Sequence, residues 1–186
     1  MKLASSVLGA FALVFCLGQS LAIAAESPAA APAPAAADGA SASAAVKQVD
    51  GEWYDKAGNP TYKIAKDGTV DWYTSVGYLQ FGANCLVCHG PDGLGSSYAP
   101  NLTNSLKSLG YAEVYGTVVS GKRDVSSSQD LVMPSFASNK NVMCHLDPIY
   151  IYLRARSDGA LGRGRPSKVG PKPAGFDQKE DKCFGD

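Results

Sequence analysis

The sequence has 186 residues, with 17 basic and 17 acidic side chains, two histidines and five cysteines. So even a balance gives no electrostatic reason to expect a polyanionic partner, and no basic surface interleaved with aromatics points to nucleic acid. The length suits one domain once terminal segments without core-forming residues are set aside.

The chain begins with Lys2 and the apolar run "LASSVLGAFALVFCLGQSLAIAA", which ends in small residues. This pattern predicts an export signal over residues 1–25, cleaved near Ala24–Ala25. Gly18, Gln19 and Ser20 interrupt the run, so no stable membrane insertion is expected after cleavage. Phe15 is too bulky to precede a lipid-modified Cys16. The expected location is the periplasm. Residues 26–48 are almost entirely Ala, Pro, Ser and Gly, and are predicted to be a disordered linker. The folded domain is expected over residues 49–186.

That domain opens with "GEWYDKAGNPTYKIAKDGTVDWY", two aromatic-rich stretches split by "KAGN", which predict a small hairpin beside the core. Trp53, Tyr54 and Tyr62 are expected to cover an edge. Asp71 is placed to cap a helix through "WYTSVGYLQFGAN", with Trp72 expected near the cofactor argued for next.

The helix runs into "ANCLVCHGPDGLG". A thioredoxin-like redox pair at Cys85 and Cys88 would need a preceding strand in a βαβ setting, and none is indicated. A structural zinc needs four ligands, commonly from two knuckles, whereas Cys144, His145 and Cys183 form no second knuckle. His89 follows Cys88 directly, which completes the c-type haem attachment pattern. Two thiols at this spacing can add to the two vinyl groups of one porphyrin edge, and the next residue then lies beneath the iron. One such pentapeptide implies one covalent haem c, with His89 as a metal ligand. The Gly-rich stretch after it lacks the Lys-Ser/Thr ending of a phosphate cradle and reads as a loop beneath the haem edge.

The second axial ligand has three candidates: Met133, Met143 and His145. Met133, in "DLVMPSFAS" ahead of the last helix, is the expected one, because a thioether raises the potential relative to a second imidazole. A core-filling role for Met133 is the competing reading. Arg154, Arg156, Arg163, Arg165, Lys168 and Lys172 cluster against Asp158 alone. They read either as a solvated tail or as a docking patch. Asp147 and Asp181 lack the clustering of a calcium site. No catalytic triad or hydrolytic metal motif occurs, so an enzyme is not expected.

Taken in order, these motifs resemble a class I cytochrome c. Gly77 and Phe81 stand in the first helix, and "Pro100-Asn101-Leu102" occupies the loop whose Pro carbonyl, in that family, accepts from the proximal imidazole. "YAEVYGTVVSGK" matches the middle helix, ending at Gly121, and Met133-Pro134 the ligand turn. The closing helix is expected to start at the cap Asp147-Pro148, with Tyr150, Tyr152 and Leu153 crossing near Gly77. The resemblance covers residues 71–158 and implies a mostly α fold with a single haem. It places Cys85, Cys88, His89 and Pro100 around that cofactor, with a short N-terminal extension.

Beyond that core, "VMPSFASNKNVMCHLDPIYIYLRARSDGALGRGRP" and the late Cys183 resemble the four-cysteine, methanol-metabolism-related periplasmic cytochromes c. That likeness implies electrons accepted from a PQQ-dependent alcohol dehydrogenase and passed to a downstream cytochrome or oxidase. A disulfide between Cys144 and Cys183, tying the C-terminal tail to the last helix, is expected with it. A respiratory shuttle unrelated to alcohol oxidation shares the haem features. A haem sensor or enzyme would instead need an open sixth position.

Overall fold

The computed structural model describes residues 43–126 and 130–185. The expected export signal and most of the expected linker lie outside the described residues. Among those described are seven α-helices and five short strands.

Strands β1 (Lys47–Val49), β2 (Glu52–Tyr54) and β3 (Pro60–Thr61) form an antiparallel sheet in that order, with Gln48 opposite Trp53 and Trp53 opposite Thr61. The β2–β3 turn is held by Asp55, whose carboxylate accepts from the N–H groups of Ala57 and Asn59 at 2.8 and 2.9 Å. β1 begins at Lys47, two residues inside the stretch read as linker. It can pair because Asp50 and Gly51, at φ +48° and +84°, make the tight two-residue turn that an Asp-Gly pair favours.

Helix α1 (Trp72–Asn84) starts where Asp71 caps it, accepting from Thr74 N at 2.9 Å. After α2 (Leu86–His89) and α3 (Leu102–Ser105) comes α4 (Tyr111–Ser120), stopped at Gly121 with φ +76°. Strands β4 (Lys122–Val125) and β5 (Asp130–Met133) then pair antiparallel, with Lys122 opposite Met133. Next come α5 (Lys140–Cys144) and the central helix α6 (Leu146–Ser157), which buries Leu146, Pro148, Ile149, Tyr150, Ile151, Tyr152, Leu153 and Ala155. Burial around most of its circumference marks it as the core element of the fold.

α1 and α6 cross at Gly77. A Cβ there would stand 1.9 Å from the carbonyl oxygen of Pro148 and 2.8 Å from Tyr152 Cβ. Around the crossing, Phe81, Leu106, Ile149, Tyr150, Tyr152 and Leu153 pack together, with Tyr152 ringed by Tyr78 and Phe81 at 5.7 and 5.6 Å.

Several expectations are corrected. α6 begins at Leu146 and Asp147 does not cap it. The Asp147 carboxylate accepts from the Tyr111 hydroxyl, while Ile149 N bonds the His145 carbonyl at 2.9 Å. Trp72 stands at the far end of α1 from Cys85, about 20 Å along a helix of this length. It packs edge-on against Phe176 at 5.8 Å, because the tail returns to that end of α1.

The tail itself carries helix α7 (Phe176–Phe184) and places Phe176 in a second core cluster with Tyr73, Val76 and Ile151. Cys144 and Cys183 are joined by a disulfide. Lys179 reaches the buried Glu52 at 2.5 Å, tying α7 to the sheet.

The basic segment turns out to be used within the chain. Arg154 meets Asp158 at 2.8 Å, Arg156 donates to Leu161 O at 2.6 Å, and Arg163 meets Asp92 at 3.0 Å. Lys168 meets Asp67 at 3.5 Å, and Lys172 pairs with Asp177. Arg163 and Lys168 stay largely exposed beside these partners, at 69% and 56% of their side chains.

Candidate cofactor-attachment site

α2 is a single turn that presents Cys85, Cys88 and His89 together. Cys85 precedes the turn, and its carbonyl accepts from Cys88 N at 3.2 Å and from His89 N at 2.9 Å. Gly90, at φ +69°, ends the turn; a Cβ there would lie 2.3 Å from the Gly95 carbonyl oxygen. The chain can therefore fold back at once beneath the histidine, where Gly95 N donates to His89 O at 2.8 Å.

Both thiols are free, although the other described cysteines are disulfide-bonded. Cys85 packs against the main core, and burial pushes its thiol up to about 11. A thiol so reluctant to ionise is a poor redox nucleophile, which argues against the thioredoxin-like reading. Cys88 is exposed.

His89 is 7% exposed. Its Nδ1 lies 3.1 Å from the Pro100 carbonyl oxygen. A carbonyl only accepts, so Nδ1 carries the proton and the Nε2 lone pair is left for a metal. Burial lowers the His89 pKa, the Pro100 contact opposing it in part, so the neutral, ligating form is favoured.

Pro100 is held in turn by its neighbours. Asn101 caps α3, accepting from Asn104 N at 3.1 Å, and Ser96 N donates to Ala99 O at 3.0 Å. Ser96 Oγ also donates to Cys88 O, so one serine braces both sides of the site. Nothing in the sequence singled Ser96 out.

The three sixth-ligand candidates stand in different surroundings. His145 is 3% exposed, with Nδ1 2.7 Å from Asn141 O and Nε2 2.6 Å from Glu180. Neither nitrogen is spare. Met143 lines a cavity of about 240 Å³ beside the disulfide, Tyr111 and Lys179, and no residue of α2 lines it. Met133 ends β5 and leads into Pro134, which crosses Gly121: a Cβ on Gly121 would lie 2.7 Å from Met133 O. Ser135 Oγ and Phe136 N then bond the carbonyls of Val119 and Val118 at 2.5 and 3.0 Å, anchoring the turn on the end of α4. The thioether of Met133 is half-buried and has no polar partner among the described residues.

Leu86, Val87, Leu94 and Tyr98 are exposed around the pentapeptide. Two free thiols one turn apart, an imidazole whose Nε2 has no hydrogen-bond partner among the described residues, and a fringe of uncovered apolar side chains fit a covalently held porphyrin.

No family model matches the chain. It is 50% identical over 135 residues to cytochrome c-553I of Paracoccus denitrificans, covering 73% of this chain and 60% of that protein. It is 38% identical over 84 residues to cytochrome c-555 of Methylococcus capsulatus, covering 45% of this chain and 62% of that protein. The chain thus spans only about three-fifths of the length of these two relatives. Among solved structures it resembles the c-type cytochrome XoxG of Methylobacterium extorquens AM1, with a TM-score of 0.71 and 49% identity. That likeness covers 76% of this chain and 87% of the other.

Proposed function

The chain belongs to the c-type cytochromes, and from that membership we propose that it is a periplasmic single-electron carrier with one haem c, not an enzyme. Cys85 and Cys88 would hold the group through thioethers, and His89 would ligate the iron through Nε2. Pro100 fixes the imidazole's tautomer and ring orientation. Met133 would supply the sixth ligand. When bound, the haem provides a one-electron couple, and the protein contributes burial, ligand choice and hydrogen bonding that set its potential. With His89 and Met133 both as ligands, a bound haem would have no coordination site left for a substrate. The observation that carries this reading is the His89–Pro100 contact beside two free thiols.

The proposed donor is a PQQ-dependent alcohol dehydrogenase of methanol metabolism, and the acceptor a downstream cytochrome or oxidase. The four-cysteine pattern, with its disulfide between α5 and α7, supports this finer assignment. The test is a stopped-flow assay with purified components. A PQQ-dependent dehydrogenase supplied with methanol should reduce the haem at a second-order rate. Failure with that donor, alongside rapid reduction by a respiratory quinol–cytochrome reductase, would establish the general shuttle instead.

A further inference from the structure

The loop that folds beneath His89 is unusually constrained. Gly90, Asp92, Gly93 and Gly95 all adopt positive φ, between +59° and +86°. Three are glycines, which adopt this region freely. Asp92, at φ +59°, is not, and a non-glycine residue there persists only when its surroundings hold it.

Those surroundings come from the far end of the chain. Asp92 Oδ1 accepts from Gly164 N at 2.9 Å and Oδ2 from Arg163 Nε at 3.0 Å, across more than seventy residues. Only 9% of the Asp92 side chain is exposed, whereas Arg163 is 69% exposed, so the carboxylate is the shielded member of the pair. The segment that delivers these donors is itself fastened. Leu161 packs against the main core, Leu161 N donates to Ala155 O at 3.1 Å, and Arg156 Nη1 donates to Leu161 O at 2.6 Å. The chain leaving α6 is thus fixed first to α6 and then to the loop three residues past His89.

We infer that Asp92 is a positioning residue for electron transfer, latching the segment after α6 onto the loop that seats His89 so that the imidazole cannot shift when the iron changes charge. The inference rests on the reading of His89 as an iron ligand. A site whose ligand field stays fixed between oxidation states reorganises less, and the latch supplies rigidity from outside the helical core.

The test uses the haem-bearing protein and two variants, Asp92→Ala and Asp92→Asn. Asparagine tolerates a positive φ and keeps one oxygen for the Gly164 N–H, whereas alanine keeps neither advantage. In Asp92→Ala, amide hydrogen exchange over residues 89–96 should quicken at least tenfold while α1 exchanges at the wild-type rate. In Asp92→Asn that protection should return to within about threefold of wild type. Its midpoint potential should rise, because a negative charge near the iron has been lost.

Exchange within twofold of wild type in haem-bearing Asp92→Ala would overturn the latch, as would equal acceleration in α1. So would an Asp92→Asn protein that exchanges as fast as Asp92→Ala, or one whose potential does not rise. Wild-type protein whose mass shows no attached porphyrin would instead overturn the underlying assignment of His89, and the two failures are thereby kept apart.

Discussion

Gly77 and Pro148 meet backbone to backbone: a Cβ on Gly77 would fall 1.9 Å from the Pro148 carbonyl oxygen, with no flexible side chain in between to yield. Gly77→Ala must therefore push α1 and α6 apart along the main crossing of the fold. Overpacking of a rigid contact costs ~1–3 kcal/mol or more, and here we expect at least the upper end. Chemical denaturation of the holoprotein should show the loss, and a midpoint unchanged from wild type would contradict the rigid crossing.

The sixth ligand can be resolved by three variants. Met133→Ala should abolish the weak sulfur-to-iron absorption band of the oxidised protein. Met143→Leu and His145→Asn should leave it intact, since Met143 lines a cavity beside the disulfide and both His145 nitrogens are engaged. Retention of the band in Met133→Ala would require another ligand.

The disulfide closes a loop between residues separated by 39 positions. The entropic model gives about 4 kcal/mol for a loop of that size. The Cys144→Ser/Cys183→Ser double variant should lose ~3–4 kcal/mol of unfolding free energy. It should also become open to proteolysis within α7 while keeping its haem spectrum. A spectrum that changed with the disulfide would mean that α7 acts on the haem site, contrary to its position.

Glu52 has a signature in pH. It is 1% exposed and one of its oxygens has no hydrogen-bond partner. Burial raises its pKa, outweighing the Lys179 contact that opposes it. A raised carboxyl pKa means that the folded state holds the proton more tightly than the unfolded chain. Stability contributed by this group is present below the unfolded value of 4.5 and is lost as pH climbs from there through the folded pKa. Glu52→Gln should flatten that decline in denaturation midpoints measured from pH 4 to 7, and an unaltered slope would exclude Glu52 as its source.

How much of this was legible in advance follows from the range of the forces involved. The bounds of α1 and α4 were readable because a cap at Asp71 and a stop at Gly121 act within one turn of themselves. The His89–Pro100 contact was readable because it spans only eleven residues and belongs to a known motif. What escaped notice depends on distant partners.

Nothing near Glu52 in the sequence marks it as buried; its partner Lys179 comes 127 positions later. His145 was one of three ligand candidates, and the sequence does not show that Glu180, 35 positions later, engages its Nε2. The stretch "FDQKEDKCF" is charged at most positions, and only Phe176 is buried, so no periodicity announced α7. The β4–β5 pairing was likewise missed, because Lys122–Val125 is exposed at every position and carries no alternation.

The return of the tail to α1 sets where this protein can be cut. A fragment stopping at Ser157 would keep every recognisable motif, from the pentapeptide to the ligand turn. It would nevertheless strip Phe176 from Trp72 and Tyr73, leave Glu52 facing no ammonium, and free the loop that follows His89. A fragment that keeps these contacts must reach Cys183, a boundary set by buried partners and not by signature residues.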